Sequence, residues 1–174
     1  MNLNSYLALV GCAFKETTVV SGKLLEKCDL EQATMVVPKY RFVVSVDADS
    51  LITSDYNVRL VAFMNHPENG RYAIAQSPYT AIPDAPTIIE RVAAASTDAQ
   101  YFGHQGSSYL GSSFWVGASA LMRYEALRDI AIEREERGYR VQVFIKDDIL
   151  IEDAAATVDL ISKGWKVHHA VGIT

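Results

Sequence analysis

Asp47 and Asp49 stand two residues apart at the end of the apolar, β-branched run Val43-Val44-Ser45-Val46, and carboxylates at that spacing suit a hard divalent cation. In an extended segment the side chains at i and i+2 point the same way, so both would aim at one ion. Asp-x-Asp also occurs in calcium loops, phosphatases and ordinary turns, and spacing alone does not choose among them. The EF-hand version fails, because the loop positions that need Gly and Glu are Ile52 and Val58 when counted from Asp47. A second acidic pair, Glu152-Asp153, opens an apolar stripe. Read by itself, it is two acids stabilising a helix N-terminus, worth about 0.3 to 1 kcal/mol.

Periodicity supplies the elements that must hold these residues. Arg41 to Asp47 reads as a buried strand, continuous in Val and Phe as parallel strands covered on both faces are. A helix follows, capped by Ser54 or Asp55, with Val58, Val61 and Met64 as its apolar stripe and Pro67 with Asn69-Gly70 as its stop. Tyr72 to Gln76 is a short strand closed by Ser77-Pro78, and Thr87 to Phe102 is a helix. Gly103 to Gly111 reads as a mobile Gly/Ser-rich connection. A helix from Tyr124 to Arg137, a strand from Val141 to Ile145, a helix from Asp153 to Lys163 with Ala154, Val158 and Ile161 inward, and a strand from Trp165 to His168 complete the chain. Gly164 stops the last helix. Parts of the connection between Thr17 and Pro38 carry no assignable period. Strands alternating with helices predict an α/β layered fold with a mixed, mostly parallel sheet flanked by helices.

Composition narrows the partners. At 174 residues the chain suits a single domain with a sizeable core. A net charge of -5 argues against a nucleic-acid surface, so an anionic ligand must be held by a metal or by local donors. Cys12 and Cys28 form neither a Cys-x-x-Cys pair nor a framework and read as reduced thiols of a cytoplasmic protein. No apolar run approaches the roughly 18 to 20 residues that span a membrane, and the start lacks a signal-peptide profile, so the chain is expected to be soluble.

Five motifs fall in a telling order. Asn2-Leu3-Asn4 comes first, Val46-Asp47-Ala48-Asp49 follows one strand, and Gln76-Ser77-Pro78-Tyr79 follows the next. Phe114-Trp115-Val116-Gly117-Ala118-Ser119 then precedes Leu121-Met122-Arg123-Tyr124-Glu125-Ala126-Leu127, and Ile151-Glu152-Asp153 runs into a helix ending Lys163-Gly164-Trp165. In this order and at these intervals the chain resembles the family 2 glycosyltransferases, especially their cellulose-synthase-like branch.

The resemblance implies part of a GT-A fold and inverting transfer of a sugar from a nucleotide-diphospho-sugar, a UDP-sugar above all, to a saccharide or lipid acceptor. It implies that Asp49 ligates Mg²⁺ or Mn²⁺ on the donor diphosphate and that Asp47 assists the metal or holds the donor. Asp153 falls where the catalytic base sits, with Glu152 orienting it. Gln76 and the Gly117-to-Ser119 turn fall on the acceptor channel, and Asn4 and Arg123, within the matching motifs, count with the donor- and acceptor-binding residues. Tyr101, Phe102, Tyr109, Phe114 and Trp115 suit stacking on sugar rings and core packing equally.

Members begin with a strand and an Asp-Asp-x-Ser-type segment that hold uridine, and continue past the base into a Gln-x-x-Arg-Trp motif and membrane helices. This chain starts at Met1 after the first and ends at Thr174 before the second. Residues 1–174 are therefore expected to be the middle of a larger, membrane-embedded synthase at the cytoplasmic face, inactive alone and prone to self-association through an uncovered sheet edge. Two rival readings stand beside this one. In a haloacid-dehalogenase-like phosphatase, Asp47 would be the nucleophile and Lys146-Asp147-Asp148 with Asp153 the later Lys and Asp pair. A non-catalytic fragment of a synthase would only bind partners.

Overall fold

The computed structural model describes residues 2–20, 22–81, 84–117, 119–136 and 138–171, with Asn2 described by its backbone alone. Ala118 of the fourth motif, Arg137 at the end of the expected helix, Met1 and Thr174 lie outside the described residues. In chain order the elements are α1 (Asn2–Leu9), β1 (Ala13–Val19), β2 (Gly22–Lys27), β3 (Met35–Val36), β4 (Phe42–Ser45), α2 (Tyr56–Asn65), β5 (Tyr72–Gln76) and α3 (Ile88–Tyr109). β6 (Ala120–Arg123), α4 (Tyr124–Ile130), β7 (Ile132–Glu136), β8 (Tyr139–Val143), α5 (Glu152–Ser162) and β9 (Lys166–His169) follow. Among the described residues no helix is long and apolar enough to cross a membrane.

The chain divides into two compact units, residues 1–41 with 131–144 and residues 42–130 with 145–174. In the first, β2, β1 and β3 form an antiparallel sheet in the order β2-β1-β3, and β7 pairs with β8 as a hairpin. The end of β1 with β2 and β3 falls in the stretch from Thr17 to Pro38, parts of which carry no legible period. The expected helix from Tyr124 stops at Ile130, because the residues after it form a hairpin in which Glu136 pairs with Tyr139. Gly138, at φ +82°, supplies the left-handed backbone that such a tight closure requires. The expected strand at Val141 to Ile145 accordingly sits earlier, at Tyr139–Val143.

The second unit holds a four-stranded sheet in the order β4-β6-β5-β9. β4 and β5 both run antiparallel to β6, and β5 runs parallel to β9. The sheet is mixed and flanked by helices as expected, but it is not mostly parallel. β4 is an outer strand paired with β6 and only half-buried, so the expectation of a buried strand covered on both faces fails there.

The core of this unit is Tyr56, Leu60 and Met64 of α2 against Ala75, Leu121 and Ala170. Tyr56, Leu60 and Met64 recur at i, i+4 and i+8, so α2 buries that stripe and leaves Val58 69% exposed. Asp55 precedes the helix without capping it and instead accepts from Arg59 Nε at 2.6 Å. In α5 the buried residues are Ala156, Thr157 and Leu160, whereas Val158 is 66% exposed and Ile161 also faces solvent. α3 begins at a capping box, where Thr87 Oγ1 accepts from Glu90 N at 3.2 Å and Thr87 N donates to Glu90 Oε2 at 2.9 Å. The helix continues straight through Gly103 and Gly106, because Tyr101, His104 and Ser108 pack inward on its other face.

Candidate active site

The register places one row of residues across the sheet: Ser45 opposite Ala120, Ala120 opposite Gln76, and Gln76 opposite His169. At about 4.8 Å between strands the row spans roughly 14 Å. It marks the edge where β4, β5 and β9 end and β6 begins. Open α/β sheets bind ligands beyond the carboxyl ends of their strands. α5 is followed by a short turn into β9 and so starts at this same edge. Five segments therefore converge here: the turn after β4, Ser77 after β5, the loop before β6, the start of α5 and the end of β9.

The loop before β6 makes no strand pairs, so its backbone polar groups need other partners. Buried side chains from three elements supply them. His169 Nε2 donates to Phe114 O at 2.8 Å, Trp115 N donates to Thr157 Oγ1 at 2.9 Å, and Val116 N donates to Gln76 Oε1 at 2.9 Å. Gln76 Nε2 also donates to Val116 O at 3.0 Å and to Tyr101 OH at 3.3 Å. Farther along, Ser77 N donates to Ser119 O at 3.3 Å. Gly117 and Ser119 both have left-handed backbones, at φ +61° and +55°. For Ser119 that conformation is strained and is maintained by the surrounding structure.

This loop lies against Asp153. A Cβ added to Gly117 would come 3.6 Å from Asp153 Oδ2, while Asp153 Oδ1 accepts from Ala154 N at 2.7 Å. Glu152 is exposed at the first position of α5. Both carboxylates thus sit at the positive end of a helix dipole.

Asp47 and Asp49 reach the same edge differently from the expected geometry. β4 ends at Ser45, and Ser50 N donates to Asp47 O at 3.0 Å, so the two acids belong to a reverse turn and the strand alternation rule does not apply to them. Both are exposed. Among the described residues no three His, Cys, Asp or Glu side chains gather as a metal cage. Two solvent-facing carboxylates nevertheless fit Mg²⁺, which takes one or two protein carboxylates and completes its shell with phosphate oxygens and water.

Arg123 and Asn4 spend their polar atoms on backbone groups. Arg123 lies at the far end of β6, about 10 Å along the strand from the row. Its guanidinium donates to Tyr72 O at 3.0 Å, Met64 O at 2.9 Å and Asn69 O at 3.3 Å, and stands over the Phe42 ring. Asn4 belongs to the other unit, where its Oδ1 accepts from Phe144 N at 2.9 Å. Tyr101 and Trp115 are buried and pack the core, whereas Phe102, Tyr109 and Phe114 are exposed.

Electrostatics keep the interior of the site neutral. Burial pushes His169 down to about 4 and lowers His104, whose ring stacks on it at 4.8 Å, while burial raises Tyr56 and Tyr101. His168 stacks on Phe63 at 4.3 Å and is likewise held neutral by burial. Thr157 and His169 were not legible as site residues. Thr157 carries the one available signal, lying one helical turn after Asp153 on the same face.

The phosphatase arrangement is not found. Lys146, its required cation, is half-buried and pairs with Asp159 Oδ2 of α5 at 2.7 Å. No curated protein matches the chain. The sequence model of the glycosyl transferase family group 2 matches residues 42–173, which include the whole strand-end row and both acidic pairs, and the mixed sheet flanked by helices is consistent with a GT-A domain. The chain belongs to the family 2 glycosyltransferases.

Proposed function

We propose that this domain carries out inverting transfer of a sugar from a uridine-diphospho-sugar to a saccharide or lipid acceptor, as part of a cellulose-synthase-like synthase. The observation that carries the reading is the placement of Asp153 against the Gly117 loop, on the edge where the Asp47–Asp49 turn emerges. Asp153 takes the proton of the attacking hydroxyl as that oxygen bonds to the anomeric carbon and the bond to the diphosphate breaks. A positioned base of this kind contributes about 10²- to 10⁴-fold. Glu152, one residue earlier, orients the first turn of α5. Asp49, with Asp47 beside it, would hold Mg²⁺ or Mn²⁺, which supplies charge neutralisation for the departing diphosphate. The Gly117-to-Ser119 turn forms the acceptor side, and Gln76 acts behind it by fixing Val116.

Asp153→Asn tests the base. In the whole synthase, release of uridine diphosphate should fall by about two decades or more while donor affinity and melting temperature hardly change. A variant that still transfers sugar at the wild-type rate returns Asp153 to the role of a helix-terminal acid.

A further inference from the structure

We propose that Thr157 is a positioning residue that couples the Gly117 loop to the Asp153 carboxylate. The inference rests on the reading of Asp153 as the base. Its geometry is independent of that reading. Thr157 is buried, and its single hydroxyl stands between two backbone groups: it accepts from Trp115 N at 2.9 Å and donates to Asp153 O at 2.9 Å. The direction of both bonds is fixed, since an amide can only donate and a carbonyl can only accept. A hydroxyl offers one proton and two lone pairs, so one small group meets both demands. A valine of the same shape meets neither.

Three clamps hold the loop, and Thr157 differs from the other two in where its second bond goes. Gln76 ties Val116 to β5, and His169 ties Phe114 to β9. Thr157 ties Trp115 to the residue whose carboxylate stands 3.6 Å from where a Cβ on Gly117 would lie, two positions later. The hydroxyl thus links the loop at Trp115 to the first turn of α5, and the carboxylate of that turn stands beside the loop at Gly117. A displacement of the loop moves the carboxylate's surroundings, and a displacement of the first turn moves the loop.

Thr157→Val and Thr157→Ser separate this coupling from ordinary packing. Val keeps the shape and removes the hydroxyl, and Ser keeps the hydroxyl and removes a methyl. By NMR, Val should speed hydrogen exchange at the Trp115 amide at least tenfold and move the Asp153 carboxyl carbon resonance. Ser should leave both as in the wild type. With UDP-glucose, UDP-N-acetylglucosamine and GDP-mannose offered as donors to the whole protein, Val should lower kcat at least tenfold with KM within about twofold, and Ser should restore it. An unmoved Asp153 resonance in the Val variant, or wild-type kcat in it, overturns the proposal. Should Val fail to fold, Ser decides alone: loss of Trp115 protection with the hydroxyl retained overturns it, and full protection supports it. If the wild-type protein turns over none of the donors, the sugar-transfer reading is what fails, while exchange and the Asp153 resonance still decide the coupling.

Discussion

Gln76 presents a carbonyl and an amino group on one side chain, and the loop before β6 uses both, through Val116 N and Val116 O. An amide side chain carries a donor and an acceptor on separate atoms and so can satisfy the N–H and the C=O of one residue together. A residue expected to line an acceptor channel is thus fully buried and spends its side chain on the loop. Asp47 and Asp49 are the reverse case, side chains whose chemistry is legible while their geometry is not. An i, i+2 pair aims both carboxylates one way only while the chain is extended, and the bond from Ser50 N to Asp47 O turns it. The exposed pair can still close on a cation brought by the donor. Asp49→Asn is expected to abolish Mn²⁺-dependent binding of uridine diphosphate by the whole protein in calorimetry, while Mn²⁺-independent binding remains. Metal dependence equal to the wild type would remove Asp49 as a ligand.

At the level of elements, strands and helices with strong local signals stand where the sequence puts them, as at Tyr72–Gln76 and at the capping box of Thr87. Misreadings follow where tertiary packing outweighs local composition. The inward faces of α2 and α5 are set by Leu60 and by Ala156 with Leu160, and neighbouring Val58 and Val158 share their hydrophobicity but point away. Gly103, Gly106 and the serines around them look like a connection because each is a poor helix former, with Gly costing about 1 kcal/mol relative to Ala. The helix persists there because His104 and Ser108 are buried, and Ser108 Oγ accepts from His169 N at 2.9 Å. A glycine that the fold uses only as helix is an opportunity. No atom lies within 4 Å of a Cβ added at Gly106, and the position is exposed. Gly106→Ala should therefore stabilise the protein by about 0.5 to 1 kcal/mol and raise its melting temperature by about 1 to 4 °C. A lower melting temperature would mean that the second half of α3 is not helical in solution.

Across the whole molecule, the side chains described as bonding the site loop are the neutral Gln76, Thr157 and His169, the last from a fully buried ring stacked on His104. Protonating His169 would place a charge where solvent does not reach and beside a second imidazole. Burial accordingly holds its pKa at about 4, against 6.5 for an ordinary histidine. Between those values the unfolded chain binds a proton that the folded chain refuses, so stability rises with pH across the window. The contribution is fully present above about pH 6.5 and is lost as pH falls toward 4, amounting to about 3 kcal/mol at one pKa unit per 1.36 kcal/mol. His104 and His168, also lowered by burial, act in the same direction. Urea midpoints measured from pH 7.5 to 4.5 should fall for the wild type. They should fall less steeply for His169→Gln, whose amide can still donate to Phe114 O but takes up no proton in this range. Equal slopes for the two proteins would show that His169 takes up its proton alike in the folded and unfolded states and that burial does not hold the ring neutral.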